Sequence, residues 1–255
     1  MIDSDLRTVM KQSGSTSARR RVAAVIRRLE RVFGRQVWRR WGDGLEELVG
    51  TILSQHTSNI NSDRAYERLA ARFPSRRSGD SAAVDWNAVA DAPIGAIELA
   101  IRCAGLGRIK SRVLRDILRR IRADRGEMSL EFLADWSVEK ARAYLVGLKG
   151  VGPKTAACIL LFSFHKAVLP VDTHIHRIAT RLGLIGPWVS AEASHLELER
   201  VVPPRQFYNF HILLIKHGRT ICRARRPRCH DCALLSICPT GPKLIRRGQA
   251  AGSVR

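Results

Sequence analysis

Apolar side chains recur every three or four residues along most of this chain, the spacing of helices that bury one face. In VAAVIRRLERVF, Val22, Val25, Ile26, Leu29, Val32 and Phe33 share a face and arginines lie opposite. LEELVGTILSQ (45–55) reads as a second, more buried helix, and SDRAYERLAARF (62–73) as a third with Ser62 as its N-cap. IGAIELAIRCAG (94–105) ends on glycine, as helices often do. SRVLRDILRRIRADRG (111–126) turns Val113, Leu114, Ile117, Leu118 and Ile121 inward, and Arg112, Arg115, Arg119 and Arg122 outward. Those arginines read as a solvated face and are assigned no site. SVEKARAYLVGL (137–148) opens on a serine cap, and helices follow at 153–164, at 173–182, near 190–200 and at 205–218. Period-2 alternation is nearly absent; AVLPV (167–171) alone looks extended, and it contains a proline. The pattern predicts an all-α protein of about ten helices without internal repeats. Residues 1–17 read as a disordered basic arm, Pro74 to Ser81 as a loop, and 241–255 as a flexible tail.

Charge narrows the class. The 255 residues hold 44 Lys and Arg against 23 Asp and Glu, a formal net charge of +21. Solubility does not need such an excess, and it points to a polyanionic partner, nucleic acid before an anionic membrane surface. No apolar run approaches the roughly 20 residues of a membrane span, and MIDSDLRTVMKQ lacks the apolar core of a signal peptide. A cytoplasmic, nucleoid-associated location follows as an expectation. There the six cysteines read as metal ligands or buried thiols before disulfides. Cys103 and Cys158 lie on apolar helical faces and read as small core residues.

Three stretches carry candidate chemistry. In LKGVGPKTAACIL (148–160), Gly150 and Gly152 permit unusual torsions, Pro153 suits a first helical turn, and Lys154 follows at the helix mouth. The dipole there disfavours an ammonium, which is poor for stability and useful for a neutral amine nucleophile. The turn amides and helix N-terminus can also hold a phosphate oxygen. In PVDTHIHRIATRLG (170–183), Asp172 stands just before a helix, either as an N-cap or as a carboxylate serving a reaction. Finally, Cys222, Cys229, Cys232 and Cys238 follow a Cys-x6-Cys-x2-Cys-x5-Cys spacing. Zinc and an iron–sulfur cube both accept four thiolates. Arg223, Arg225, Arg226 and Arg228, between the first two, suit DNA phosphates or offset the thiolates' charge.

Gly-Val-Gly-Pro-Lys followed by Val-Asp-Thr-His resembles the paired motif of the endonuclease III family of DNA glycosylases, and the likeness runs from about Arg20 to Pro239. It implies two helical domains with the active site in the cleft between them. One is a six-helix barrel over 36–166 ending in a helix–hairpin–helix; the other joins 18–35 to 167–240. The implied nucleophile is Lys154, with Asp172 its partner, and the cysteine loop looks like the family's structural [4Fe–4S] loop. LSQHTSN (53–59) is similar to a helix-end motif whose glutamine, here Gln55, fills the gap left by an extruded nucleotide. GLGRIK (105–110) resembles a loop carrying a second wedge, here Leu106. His174 becomes a candidate DNA-side residue, as do Gly150, Gly152, Arg225 and Arg226. The implied reaction excises an oxidised pyrimidine from duplex DNA and nicks the strand by β-elimination. A monomer acting on damaged or abasic double-stranded DNA is expected.

There are departures. Thr57-Ser58-Asn59 stands where many relatives have Thr-Asp, which leaves the lesion open. The adenine-excising branch carries a carboxylate in the Gln55 region and no hairpin lysine, and this chain matches neither feature. Two alternatives remain: a monofunctional mismatch uracil or thymine glycosylase, whose branch tends to lack the lysine, and a non-catalytic DNA-binding or structure-sensing protein, which would not need Lys154 and Asp172 together.

Overall fold

The computed structural model describes residues 2–75 and 83–251, with side chains from residue 16 onward. The expected arm at 1–17 lies, up to residue 15, outside the described side chains, and most of the basic loop after Pro74 lies outside the described residues. Twelve α-helices occur among the described residues: α1 (Ile2–Phe33), α2 (Gly44–Ser54), α3 (Asn59–Arg72), α4 (Trp86–Asp91), α5 (Ile94–Ile101), α6 (Gly107–Arg125), α7 (Val138–Val146), α8 (Pro153–Phe162), α9 (Thr173–Arg181), α10 (Ala193–Val201), α11 (Phe207–Thr220) and α12 (Gly241–Arg246). Among the described residues one isolated bridge, Pro74 to Val84, is the sole β pairing. The chain divides into two compact units, residues 39–166 and residues 1–38 with 167–255. The first boundary falls after the expected residue 36, because the Gln36 amide donates to Asn209 Oδ1 (2.9 Å) and its side chain accepts from Lys216 Nζ (2.9 Å).

The unit of residues 39–166 is built around α2, α6 and α8. Asp43 starts α2 with a reciprocal capping box: its carboxylate accepts from the Leu45 and Glu46 amides (both 2.8 Å), and Glu46 Oε2 accepts from the Asp43 amide (2.9 Å). Such a cap contributes on the order of 1 kcal/mol. Leu45, Leu48, Val49, Ile52 and Leu53 are buried, as are all side chains of α8 from Thr155 to Phe162. Helix α8 runs antiparallel to α2: Ser163, just past its end, donates to the Asp43 carbonyl (3.1 Å), and Gln55 meets Thr155 in its first turn (3.3 Å). The α3 cap is Ser58, not Ser62; Ser58 Oγ accepts from the Asn61 amide, and Ser62 is inside the helix, buried, donating to the Asn59 carbonyl. Short α4 was not expected, and the arginine face of α6 binds it. Arg119 donates to the Ala90 carbonyl (2.7 Å), and Arg122 grips Asp91 with two bonds (2.9 and 2.6 Å).

The second unit packs α1 on α10 and α11, with Val22, Val25, Ile26 and Leu29 buried, while Val32 is exposed. The α1 arginines are not all solvated. Arg21 donates to the Leu182 carbonyl (2.9 Å) and Arg28 to the Ala233 carbonyl (3.3 Å), fastening the end of α9 and the cysteine loop. Residues 167–171 form no ladder; side chains take their backbone groups instead. Two buried imidazoles bond the Leu169 and Pro170 carbonyls, His195 Nδ1 at 3.0 Å and His211 Nδ1 at 2.9 Å, and Glu199 Oε1 accepts from the Leu169 amide (2.9 Å). The expected flexible tail is folded at its start. Helix α12 begins at buried Gly241 and packs on the short turn Cys229–Asp231, and the Ala251 amide donates to the Pro227 carbonyl (2.9 Å). Cys158 is buried as expected, whereas Cys103 is half-buried in the short turn Arg102–Ala104.

The two hairpin glycines have different reasons to be glycine. Gly150 has φ +94°, and a Cβ there would stand 2.6 Å from Val113 Cγ1 on α6. Gly152 has φ −89° and no atom within 4 Å of a Cβ, so neither torsion nor space demands glycine. Gly150→Ala is expected to cost about 2–4 kcal/mol, from left-handed strain plus overpacking, and Gly152→Ala less than about 0.5 kcal/mol, both read by urea unfolding.

Candidate active site and cysteine centre

In the unit of residues 39–166, the hairpin and two tight turns carry five of the expected residues, Gln55, Leu106, Gly150, Gly152 and Lys154. The α7 helix ends at Gly147, the Val151 amide closes a turn onto Leu148 (3.0 Å), and α8 starts with Gly152 as N-cap. No side chain caps α8. Its first amides, which have no intrahelical partner, remain for an incoming acceptor. Lys154 is the second residue of this helix, and its neighbour Thr155 accepts from Gln55 Nε2 (3.3 Å). Gln55 leaves α2 with extended torsions, and His56 after it has φ +53°.

The second turn carries Leu106. Its φ is +49°, unusual for a leucine, and half of its side chain is exposed (52%). Gly105 before it has φ +68°. Both turns are held by a residue the sequence reading passed over. Lys110 is 3% exposed, and its ammonium donates to the Leu53 carbonyl (2.7 Å), Thr57 Oγ1 (2.9 Å) and the Ala104 carbonyl (2.9 Å). All three of its protons are placed. Thr57 Oγ1 also bonds the Ala104 carbonyl, so hydroxyl and ammonium together fasten the Gln55 turn to the Leu106 turn. Burial pulls the Lys110 pKa below its usual value. The sequence signal was there: Lys110 stands one turn before Leu114 on the apolar stripe of α6, where an ordinary solvated lysine does not belong.

Glu47 was also passed over, because a glutamate in a first helical turn reads as a dipole partner. Its carboxyl accepts from Thr51 Oγ1 (2.9 Å), and burial pushes its pKa up to about 7 against the opposing effects of that bond and the Lys154 charge. The helix that delivers Gln55 therefore does carry a half-buried carboxyl group, two turns upstream.

In the other unit, Asp172 caps α9; its Oδ1 accepts from the Ile175 amide (2.8 Å). His174 packs on Gly218, whose added Cβ would lie 2.9 Å from the ring, and its Nδ1 meets Arg177 Nη2 (3.1 Å). Those contacts tie the imidazole to α11. Arg225 and Arg226 are exposed at the tip of the cysteine loop, Arg226 with φ +47°. Arg181 secures that loop through the Arg223 (2.8 Å) and Ala224 (3.0 Å) carbonyls. Arg228, by contrast, pairs with Asp231 (2.9 Å).

Cys222, Cys229, Cys232 and Cys238 line one cavity, closed by Ile178, Leu182, Ile221, Leu234, Leu235 and Leu244. Among the described residues no three ligands are drawn together tightly enough for a single ion. The donor set nonetheless fits a group that spreads four thiolates apart. Arg181 Nη1 donates to Cys222 Sγ (3.3 Å), the Leu234 amide to Cys232 Sγ (3.4 Å) and the Gly241 amide to Cys238 Sγ (3.3 Å). Burial pushes the Cys229 thiol up and the Cys232 thiol up to about 11. His217 Nε2 lies 3.7 Å from Cys232 Sγ; burial, with Arg177 adding to it, brings its pKa down to about 4.

A family model described as "HhH-GPD superfamily base excision DNA repair protein" matches residues 49–204. The chain belongs to this superfamily, in its endonuclease III branch. Endonuclease III of Sulfolobus acidocaldarius is 30% identical over 191 residues, 75% of this chain and 79% of that protein. A putative DNA glycosylase of Arabidopsis thaliana is 38% identical over 178 residues, 70% of this chain but 57% of the relative, so the chain spans little more than half of that protein. The structure of a non-covalent endonuclease III–DNA complex superimposes with a TM-score of 0.75, covering 89% of this chain and 98% of that one at 24% identity. That last likeness concerns the fold.

Replacing Lys110 by Met removes the ammonium donor from the Leu53 carbonyl and leaves Ala104 and Thr57 their mutual bond. The variant is expected to lose about 2–4 kcal/mol of unfolding free energy, and Lys110→Arg should not restore it, because a planar fork does not reproduce three convergent N–H bonds.

Proposed function

We propose that this protein is a base-excision DNA glycosylase with lyase activity, acting on oxidised pyrimidines in duplex DNA. The observation that carries the reading is Lys154 in the uncapped first turn of α8, one residue from the Gln55–Thr155 contact. A helix N-terminus disfavours the ammonium and favours the neutral amine that covalent catalysis needs. The target nucleotide must leave the stack for C1′ to be reached. Gln55 and Leu106, on adjoining turns, are suited to fill the space it vacates. The amides of the Gly150–Gly152 turn and of α8 suit a backbone phosphate, and the net charge of +21 supplies sequence-independent attraction. Arg225 and Arg226 add to that attraction; His174, bonded to Arg177, contributes through the α9–α11 packing.

In this reading the Lys154 amine attacks C1′ as the glycosidic bond breaks, and Asp172 stabilises the positive charge developing on the sugar. The nitrogen then sheds a proton and its lone pair expels O4′ from C1′, opening the sugar ring as O4′ takes up a proton; the resulting protonated imine acidifies C2′, and loss of a C2′ proton breaks the C3′–O bond by β-elimination. The chain would act as a monomer on damaged or abasic DNA in the cytoplasm. A monofunctional mismatch glycosylase has no use for the lysine, and a plain binding module has none for Lys154 with Asp172.

The cysteine centre suits a [4Fe–4S] cluster held by Cys222, Cys229, Cys232 and Cys238. Bound there, a cluster would replace the missing core of a loop otherwise closed by a few leucines. Protein purified without air should be yellow-brown with about four irons per chain; colourless protein with one zinc would contradict the assignment. Lys154→Gln should abolish borohydride trapping on lesion DNA while leaving binding intact. Asp172→Asn keeps the cap oxygen and should fold normally, but lose excision by on the order of a hundredfold or more. Full activity in either variant would overturn the mechanism.

A further inference from the structure

The proposed reaction leaves one proton unassigned. A lysine must shed a proton before it attacks, and a base must gain one as it departs. Glu47 is placed to connect the two events. It sits on α2, which packs along α8, and the Lys154 charge acts on its carboxyl. It also lines a cleft of about 300 Å³ with Trp41, Glu46, Gly50, Ser62, Asp63 and Tyr66. That volume is at the lower end of the range that accepts small ligands, about 300–1,000 Å³. Trp41 forms one wall, braced by stacking on Phe162 at 4.5 Å and 20°. An aromatic face beside carboxyl groups suits a planar heterocycle with polar edges.

We propose that Glu47 carries the Lys154 proton to the departing base. This rests on Lys154 being the nucleophile. The first transfer turns an ammonium–carboxylate pair into an amine–carboxylic acid pair in which neither group is charged, which a desolvated site favours. The amine lone pair then forms the N–C1′ bond while the glycosidic electron pair leaves with the base. The Glu47 O–H proton passes to that base, and the carboxylate is regenerated. Thr51 steadies the carboxyl throughout by its bond to Oε1 (2.9 Å). Other charged groups near α2 are engaged elsewhere or share the cleft. Glu46 holds the Asp43 amide, Lys110 of α6 holds three oxygens, and Asp63 and Tyr66 of α3 line the far side. The elevated Glu47 pKa, about 7, matches a group that must both take and give a proton near neutrality.

The test uses the full-length, cluster-loaded protein with Glu47→Gln, which preserves the acceptor for Thr51. On lesion DNA, single-turnover excision at neutral pH should fall on the order of a hundredfold, and its pH profile should lose the descending alkaline limb. On DNA with a preformed abasic site no base departs but Lys154 must still lose its proton, so borohydride trapping by Glu47→Gln should fall at neutral pH and recover toward the wild-type level as the pH is raised, whereas excision, which also lacks its acid, should not recover. Lys154→Gln, by contrast, loses both reactions, which separates failure of this inference from failure of the lysine assignment. Folding gives an independent readout. Because the folded pKa exceeds that of an unfolded glutamate, about 4.5, the native state binds the extra proton between pH 4.5 and about 7. The wild type should therefore lose stability relative to the Gln variant as pH rises through that window. Excision by Glu47→Gln at the wild-type rate with an unchanged bell, or a stability difference that does not move with pH, would overturn the proposal.

Discussion

One buried ammonium organises the Gln55 and Leu106 turns of the Lys154 unit. Lys110 Nζ is bonded to two carbonyls and a hydroxyl from two separate turns, and each turn contains a non-glycine residue with positive φ, His56 in one and Leu106 in the other. Such torsions cost on the order of 1–2 kcal/mol each, and they persist because these bonds over-determine the turns. The consequence is an exposed leucine and a glutamine fixed on one rigid support. Gln55 in turn touches Thr155, so the support extends to the helix that bears Lys154.

The same principle, a charge placed where solvent is scarce, recurs at Lys154, Glu47 and the thiols. The helix end works against an ammonium at Lys154, and burial works against a carboxylate at Glu47. In the relay proposed above, the two groups relieve these charges by exchanging a proton. At the cysteines, burial works against thiolates, while Arg181 and two backbone amides are already aimed at the sulfurs. Those donors make sense when the sulfurs carry negative charge, as they do when they ligate iron.

Much of this was legible in the sequence. Period alone located α2, α6, α8, α9 and α11, because each pairs a full apolar stripe with a recognisable start or stop. Short α4 was missed, having too few residues to show a period, and α12 was missed because polar composition looked like a frayed end. The Ser62 cap was misplaced by one turn, since Ser58 offers the same hydroxyl and lies nearer the Gln55 turn. Residues 167–171 looked extended and are irregular, their carbonyls bonded by imidazoles brought from distant helices. Local pattern cannot announce such partners. Glu47 is the clearest case: its identity was plain, but its burial and its proximity to Lys154 depend on how α2 packs against α8.

The most direct measurement maps the covalent adduct itself. Wild-type protein is reduced with borohydride on oxidised-pyrimidine duplex DNA, digested, and the peptide bearing the nucleotide is sequenced by mass spectrometry. The account predicts a sugar remnant on Lys154, within VGPKTAACIL. An adduct on the N-terminal amine, on Lys110 or on any other lysine would contradict it.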